Sequence, residues 1–164
     1  MIEVGDAPLS ASGTGAVLRP TRTDWTATTP EVRRLDLEAG EGWLERCAAQ
    51  GELVLGAAAI TDAGQLGAEF VIHLAVCSRD EPVSGRSVSA ALRNALRRAA
   101  EWDVAELAVP LLGAGPGGLG LEEACRLMAR HLDGFVAGGE GRTVRIAAGD
   151  PAELEAARAA WPAG

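Results

Sequence analysis

The sequence predicts a three-layer α/β/α fold with a mixed, mostly parallel central sheet. The second half of the 164-residue chain alternates strand-like apolar runs with helical periodicity. The runs at residues 69–77 and 107–112 are almost wholly apolar, which is typical of parallel strands buried on both faces. A glycine-rich loop at residues 113–118 follows the second run and precedes a helix. Together these observations favour a sheet packed between two layers of helices.

The strands are predicted from short apolar runs that end at turn residues. We expect the second strand to stop at Arg19-Pro20, because proline lacks the N–H that a sheet ladder needs. Residues 7–13 are small and polar and predict a turn, while the hydroxyl-rich residues 21–30 predict a loop. In chain order the predicted strands are residues 1–4, 15–18, 52–61, 69–77, 107–112 and 143–148.

Four helical stretches carry apolar residues at helical spacing. Pro30 opens the first, and Gly40 and Gly42 are expected to weaken or split it. The last has a strong start signal, with Asp150 as N-cap and Glu153 three residues later, as in a capping box. The predicted helices are residues 30–49, 87–102, 120–133 and 151–161.

Composition limits the classes of function. A net charge of −8 argues against broad nucleic-acid binding, which needs a basic surface. There is no long apolar run for a membrane span and no signal-peptide pattern at the start. Cys47, Cys77 and Cys125 lie far apart in apolar contexts and predict buried thiols in a reducing compartment. We therefore expect a single domain over residues 1–164, in the cytoplasm and without a membrane partner.

The 113–118 loop is the strongest candidate site. Glycines let backbone N–H groups turn toward a ligand with no Cβ in the way, and a following helix N-terminus adds positive potential. This layout suits a phosphate or pyrophosphate. The loop has neither GxGxxG nor the Lys-Ser/Thr of a P-loop, so a purely structural turn stays open as the alternative.

Few residues suggest metal or acid–base chemistry. His73 lies within an apolar strand and is predicted to be a hydrogen-bonded core residue, whereas His131 is expected on a helix surface. With only two histidines and no nearby ligand cluster, we expect no metal and no cofactor. Asp24 and Asp36 are the carboxylates near the 21–30 loop that could act as a base, but nothing in the sequence positions them.

Several motifs follow the order and spacing of the macro domain family. Gly5-Asp6-Ala7 resembles the family's Gly-Asp-Ile turn. Residues 56–61 (GAAAIT) and 69–76 (EFVIHLAV) resemble its Gly-x-Ala-x-x-Thr turn and its Val-Ile-His strand. Residues 110–124 (PLLGAGPGGLGLEEA) align without gaps on Pro-x-Ile-Ser-Thr-Gly-x-Tyr/Phe-Gly-x-Pro-x-x-x-Ala. The resemblance covers nearly the whole chain and implies the macro-like form of the predicted fold.

The family binds ADP-ribose and related nucleotides, and the resemblance implies such a ligand here, with an ADP-ribosylated protein as a possible partner. It implies that Asp6 accepts a hydrogen bond from the adenine amino group and that loop amides contact the diphosphate. Pro116 can shape the loop but has no N–H to donate. The expected ligand-binding residues are Asp6, Ala7, Arg19, Arg22, Gly113, Ala114, Gly115, Pro116, Gly117 and Gly118.

The chain departs from the family pattern where family hydrolases carry their catalytic residues. Arg19-Pro20 stands in place of the catalytic Asn, and residues 26–37 contain no glycine where the family has a glycine-rich segment. Gly117 replaces the aromatic that flanks the distal ribose, and the site near Gly149 lacks the aromatic that many members place against adenine. The resemblance therefore leaves enzymatic activity open.

Arg19 and Arg22 flank the place where the family binds phosphate and ribose. A guanidinium there could replace missing backbone donors, or either arginine could be solvated or paired with Asp24 or Glu31. Trp25 could stack on a base or ribose, or be buried against the first helix.

Three functions remain open from the sequence. The first is a module that binds ADP-ribose or a related nucleotide diphosphate derivative. The second is an ADP-ribosylhydrolase or O-acetyl-ADP-ribose deacetylase with a non-standard set of residues, such as Asp24, Arg19 and Arg22. The third is a structural or interaction domain that has kept the fold and lost the ligand.

Overall fold

The computed structural model describes residues 1–11 and 15–163. A short 3₁₀ helix spans Leu9–Ala11. The strands are β1 (Ile2–Gly5), β2 (Ala16–Arg22), β3 (Ala58–Asp62), β4 (Phe70–Cys77), β5 (Glu106–Pro110) and β6 (Thr143–Ala147). The helices are α1 (Pro30–Glu38), α2 (Trp43–Ala48), α3 (Gly85–Glu101), α4 (Leu121–Ala137) and α5 (Pro151–Ala160).

The described strands form one sheet in the order β1-β6-β5-β2-β4-β3. Neighbouring strands are parallel except for the antiparallel pair β3 and β4. This confirms the predicted mixed, mostly parallel sheet. Because β1, β6, β5, β2 and β4 all run the same way, their carboxyl ends meet along one edge of the sheet.

Both faces of the sheet are apolar, as expected for a sheet between two layers of helices. Along β2, Val17 and Leu18 belong to different buried clusters, and so do Ile146 and Ala147 along β6. Helices α3, α4 and α5 supply buried residues to one cluster. Helices α1 and α2 supply Leu35, Trp43 and Cys47 to the clusters on the other face. The result is the predicted three-layer arrangement.

The largest differences from the prediction are at two strand boundaries. Strand β2 does not stop at Arg19-Pro20 but pairs with β4 through Pro20 and Thr21. Proline is tolerated because the ladder to β5 ends at Val17, so this part of β2 has a neighbouring strand on one side only. Strand β3 begins at Ala58 rather than at residue 52. The earlier residues turn at Gly56, whose φ of +84° is left-handed.

The helices follow the prediction more closely. The first helical stretch is split into α1 and α2, as Gly40 and Gly42 indicated. Helix α4 runs past residue 133 to Ala137, and the buried side chain of Phe135 anchors this added turn despite Gly134. The predicted turn at residues 7–13 contains the 3₁₀ helix, and its remaining part at residues 12–13 lies outside the described residues.

Candidate functional site

Strands β5 and β2 stop pairing before they reach the carboxyl edge of the sheet. These two strands pair only at Ala16 with Leu107 and at Val17 with Ala108, although both continue beyond those pairs. From β5 the chain crosses to β6 on one side, whereas β2 pairs with β4 on the other. The strand order therefore reverses here, and ligands of open α/β sheets bind at such a switch point.

The predicted site residues other than Arg19 follow or end strands at this edge. Asp6 and Ala7 follow β1, Gly149 follows β6, the 113–118 loop follows β5, and Arg22 ends β2. Two interstrand spacings separate the ends of β1 and β5, which is about 10 Å. The edge thus brings Asp6, the glycine loop and Arg22 to one side of the molecule.

Asp6 lies in a small pocket next to the 3₁₀ helix and the start of α1. The cavity volume is about 260 Å³. Asp6 itself is exposed, and the carbonyl of the neighbouring Ala7 accepts a hydrogen bond from Arg145 Nη1 at 3.3 Å. The pocket is lined by Asp6, Pro8, Leu9, Ser10, Pro30, Glu31, Arg34, Leu35, Ala148 and Gly149.

Two glutamates converge on Gly149 at this pocket. The Gly149 N–H donates to Glu153 Oε2 at 2.6 Å. A Cβ at Gly149 would lie 3.1 Å from Glu153 Oε2 and 3.3 Å from Glu31 Oε2. Burial raises the pKa of Glu31, and the charge of Glu153 raises that pKa further. Burial also raises the pKa of Glu153, against the lowering effect of the Gly149 N–H.

The 113–118 loop is closed by its own hydrogen bonds. The Gly118 N–H donates to the Gly115 carbonyl at 3.0 Å, and the Leu119 N–H donates to the Gly113 carbonyl at 2.7 Å. Because its N–H is already bonded, Gly118 is not a free amide donor, although the sequence placed it in the binding set. The loop leads to Gly120, the N-cap of α4, which provides no side-chain cap.

Different positions of this loop need glycine for different physical reasons. A Cβ at Gly118 would overlap the Gly113 carbonyl oxygen, and one at Gly113 would come within 2.9 Å of Val88 Cγ2. These two glycines are required by close packing. Gly115 and Gly117 have φ values of +127° and +77°, and a Cβ at either would have no neighbour within 4 Å among residues 1–11 and 15–163. Pro116 between them is exposed. The open side of the loop therefore lies at residues 115–117.

Arg22 lies at the carboxyl end of β2 with a partly exposed side chain. Its Nη2 pairs with Asp24 Oδ2 at 3.3 Å, while its buried Nε has no hydrogen-bond partner in the described part of the chain. A hydrogen bond involving the Thr26 side chain lowers the pKa of Asp24, and the Arg22 charge adds to this effect. Of the two predicted arginines, Arg22 is the one at the edge.

Arg19 does not reach the edge, which corrects its predicted role. Its side chain is fully buried and forms a bidentate ion pair with Asp36, at 2.6 and 2.8 Å. Its Nη2 also donates to the Trp25 carbonyl at 2.8 Å. Since β2 continues through Pro20, Arg19 faces α1 in the interior. The sequence prediction missed Asp36 as the partner, because α1 could not be placed over β2 beforehand.

Trp25 and His73 belong to the same buried network. Trp25 is buried rather than stacked in an open site, and its Nε1 donates to the Gly51 carbonyl at 2.8 Å. His73 packs edge-on to Trp25 and stacks on Trp43, with ring centroids 4.8 and 5.6 Å apart. Burial and the Arg19 charge hold the pKa of His73 well below 6.5. The core prediction for His73 is confirmed.

The neutral His73 ring fits its two polar neighbours. Nδ1 lies 3.4 Å from Arg19 Nη1, which can only donate, so Nδ1 accepts. Nε2 lies 2.9 Å from Thr61 Oγ1, and that hydroxyl donates to the Asp62 carbonyl, so Nε2–H donates to Thr61. His131 is partly buried beside Ser89 Oγ, 2.7 Å away.

The remaining predictions concern cysteines, metals and membranes. Cys47, Cys77 and Cys125 are free and buried, and burial raises the pKa of each thiol. Across residues 1–11 and 15–163, no three His, Cys, Asp or Glu side chains are grouped so as to hold a metal ion. None of the helices in those same ranges has the length and apolar character to cross a membrane.

The sheet, its helical layers and the strand-order reversal define a class of protein. It is an α/β domain with a mostly parallel sheet whose strand order reverses between β5 and β2. The macro domain family model matches residues 34–128, more than half of the chain. The chain belongs to the macro domain family.

Solved structures agree with this fold. The macro domain of ganglioside induced differentiation associated protein 2 matches with a TM-score of 0.85 at 19% identity, over 98% of this chain and 82% of that one. The Trypanosoma brucei macrodomain in complex with ADP-ribose matches with a TM-score of 0.84 at 18% identity, over 96% of this chain and 68% of that one. The Oceanobacillus iheyensis macrodomain with ADP matches with a TM-score of 0.83 at 16% identity, over 97% of this chain and 88% of that one. At such identities the likeness concerns the fold.

Curated relatives are closer in sequence. An uncharacterized protein of Mycobacterium tuberculosis strain H37Rv is 39% identical over 99 residues, which is 60% of this chain and 28% of that protein. A Mycobacterium bovis protein gives the same figures. This chain therefore matches little more than a quarter of the length of these relatives.

Proposed function

We propose that this chain binds ADP-ribose, or a related nucleotide diphosphate derivative, as one macro domain unit. The observation that carries the proposal is the strand-order reversal between β5 and β2, where the 113–118 loop follows β5 and Arg22 ends β2. A pocket containing Asp6 lies two strands away on the same edge. An adenosine group can bridge that separation.

In this proposal each end of the ligand meets a different chemistry. Asp6 accepts a hydrogen bond from the adenine amino group, with Ala7 beside it. The diphosphate lies against the open side of the loop at residues 115–117, next to the N-terminus of α4. Arg22, whose side chain is partly exposed, supplies the positive charge.

The family members solved with ADP-ribose and ADP support this choice of ligand. Those are the Trypanosoma brucei and Oceanobacillus iheyensis macrodomains, each matching nearly the whole chain. The same chemistry extends to ADP-ribose attached to a protein, which we propose as the partner class. The acidic chain, with a net charge of −8, favours a local anion site over a broad basic surface.

We propose recognition rather than hydrolysis, because the two predicted bases are both committed. Asp36 is paired with the buried Arg19 at 2.6 Å. Asp24 is paired with Arg22, and its pKa is lowered rather than raised. A general base works best with a pKa near the operating pH, so neither carboxylate suits that task.

Calorimetric titration of the purified chain with ADP-ribose, ADP, AMP and NAD tests the proposal. ADP-ribose and ADP are expected to bind, and AMP more weakly because it lacks the diphosphate. Gly115→Glu should abolish binding by placing a negative charge at the open side of the loop. Gly115→Ala is the matched control, since it shares the backbone strain at φ +127° without the charge and should retain binding.

Asp6→Ala should weaken the affinity for ADP-ribose at least tenfold, because it removes the acceptor for the adenine amine. Glu155→Gln removes one negative charge from an exposed position on α5 and should leave the affinity unchanged. A folded, cooperatively melting wild-type chain that binds none of the four ligands would overturn the proposal. If the wild-type chain released ADP-ribose from a modified substrate and Asp24→Ala lost this activity, the result would instead support the hydrolase alternative.

A further inference from the structure

Helices α4 and α5 leave a groove between them on the exposed side of their layer. Its volume is about 790 Å³. The residues of α4 that line it include Leu121 and Ala129. Those of α5 are mostly alanines, namely Ala152, Ala156, Ala159 and Ala160. Helix faces with small side chains let a second helix approach closely, with the two axes about 8–10 Å apart. The groove therefore suits a helix from outside the chain.

Helix α5 is covered only thinly by the rest of the described chain. Ala157 is its one buried residue. Helix α4, by contrast, buries several side chains, among them Met128 and Leu132. Ala152 and Ala159, on the groove side of α5, are exposed. Because helices in proteins are stabilised mainly by the packing of an apolar face, α5 would gain from further cover over this groove.

Charged side chains of both signs line the groove. On α4, Arg126 Nη2 donates to Glu122 Oε1 at 3.3 Å, so these two charges offset each other. Asp133 Oδ1 accepts a hydrogen bond from the Trp161 indole N–H at 3.4 Å. Three of the charged groups at the groove therefore have a partner within the chain.

Arg130 and Glu155 are the remaining charges among the lining residues that the structure describes. Both are exposed, and neither forms an ion pair with any residue in the ranges 1–11 and 15–163. They have opposite signs and come from opposite helices, Arg130 from α4 and Glu155 from α5. Such a surface is complementary to itself, because in an isologous contact the arginine of each copy meets the glutamate of the other.

We propose that the groove between α4 and α5 is a self-association surface, and that its occupant is a second copy of this chain. A two-fold axis parallel to the groove sets α4 of each copy against α5 of the other. The alanines then cover each other, while two Arg130–Glu155 contacts set the register of the pair. A partner of another kind would need a matching charge pattern, whereas a second copy has it by symmetry. The inference does not rest on nucleotide binding.

Sedimentation velocity of the purified chain tests the proposal. Between about 10 µM and 1 mM we expect a reversible monomer–dimer equilibrium with a Kd of about 100 µM or tighter. Arg130→Glu and Glu155→Arg should each weaken the dimer about tenfold or more, because each change turns two attractive contacts into repulsive ones. The double variant reverses both charges, so it should restore the Kd to within about threefold of the wild-type value.

Arg97→Glu is the matched control for net charge. Arg97 is exposed on α3 and does not line the groove. This substitution changes the net charge by the same amount as Arg130→Glu, but it should leave the Kd of the dimer unchanged. Thermal melting of each variant checks that the fold is kept.

Three outcomes would overturn the inference. The first is a wild-type chain that stays monomeric at about 1 mM. The second is a dimer whose Kd is unchanged in both single variants, since its interface would lie elsewhere. The third is a double variant as weak as the single ones, because damage to α4 or α5 is not repaired by a second charge reversal. The ADP-ribose titration is a separate measurement, so failure of the dimer leaves the proposed function standing, and failure of nucleotide binding leaves the dimer standing.

Discussion

Arg19 and Asp36 join the sheet to α1 through a buried bidentate ion pair. Nε lies 2.6 Å from Oδ1 and Nη2 lies 2.8 Å from Oδ2. The arginine side chain is fully buried, and that of the aspartate is 10% exposed. The same guanidinium donates a hydrogen bond to the Trp25 carbonyl. Trp25 has a left-handed φ of +72°, which a non-glycine residue rarely adopts. One arginine thus orders both α1 and the turn after β2.

Arg19→Met is expected to lower the free energy of unfolding by about 3–5 kcal/mol, because it leaves the Asp36 carboxylate buried without its partner. Urea denaturation measures the change. The double variant Arg19→Met with Asp36→Leu should recover much of the loss, since neither charge then remains.

Arg126→Gln provides the control for this prediction. Arg126 pairs with Glu122 on the exposed surface of α4, and such pairs contribute under about 1 kcal/mol. Equal losses in Arg19→Met and Arg126→Gln would contradict the structural importance given to the buried pair.

The depressed pKa of His73 predicts loss of stability in mild acid. The unfolded chain takes up a proton near pH 6.5, while the folded ring stays neutral to a much lower pH. Stability from this residue is therefore complete above pH 6.5 and is lost as the pH falls, approaching about 1.4 kcal/mol per pH unit. Urea denaturation between pH 7.5 and 5 should show this slope reduced in His73→Gln. His131, whose pKa is also lowered, contributes in the same direction, so His131→Gln is the comparison.

How much the sequence could predict depended on whether the signal was local. The Gly40 and Gly42 break and the Asp150 cap were predictable, because helix propensity and capping act within a few residues. The end of β2 was predicted wrongly. Pro20 does not end the strand, because β5 no longer pairs with β2 beyond Val17. The residues of β5 that decide this lie about 90 positions later in the chain, so no local pattern around Pro20 reveals it.

The candidate site shows the same limit. The places of the glycine loop and Asp6 after β5 and β1 were predictable from motif and order, and their binding roles stay predictions. The place of Glu31 in the Asp6 pocket was not predictable, because it depends on how α1 crosses the edge near β1. Glu153 could be predicted only as a capping residue, and in the structure it accepts the N–H of Gly149 rather than that of the N-cap. Long-range packing decides such roles, and no local pattern encodes it.

Gly118→Ala should damage the glycine loop, whereas Gly120→Ala should not. An alanine Cβ at Gly118 would overlap the Gly113 carbonyl oxygen. A Cβ at Gly120, where φ is −65°, would have no atom of the described residues within 4 Å apart from its chain neighbours. We expect Gly118→Ala to cost about 1–3 kcal/mol of unfolding free energy as the loop shifts. Gly120→Ala should be neutral or stabilise by up to about 1 kcal/mol. Thermal and urea denaturation of both variants test this, and a harmless Gly118→Ala would contradict the close approach.

Glu153→Gln should stabilise the protein at neutral pH but not in acid. Burial raises the pKa of Glu153 above 4.5, so the folded state holds its proton more tightly than the unfolded state does. The contribution of Glu153 to stability is therefore greatest below pH 4.5, and it falls as the pH rises through the pKa of this residue in the folded state. The amide oxygen can still accept the Gly149 N–H, while the repulsion from Glu31 disappears. We expect a gain of roughly 0.5 kcal/mol at pH 7 and none at pH 4, measured by urea denaturation. A change of the same size at both pH values would show that the effect comes from packing and not from charge.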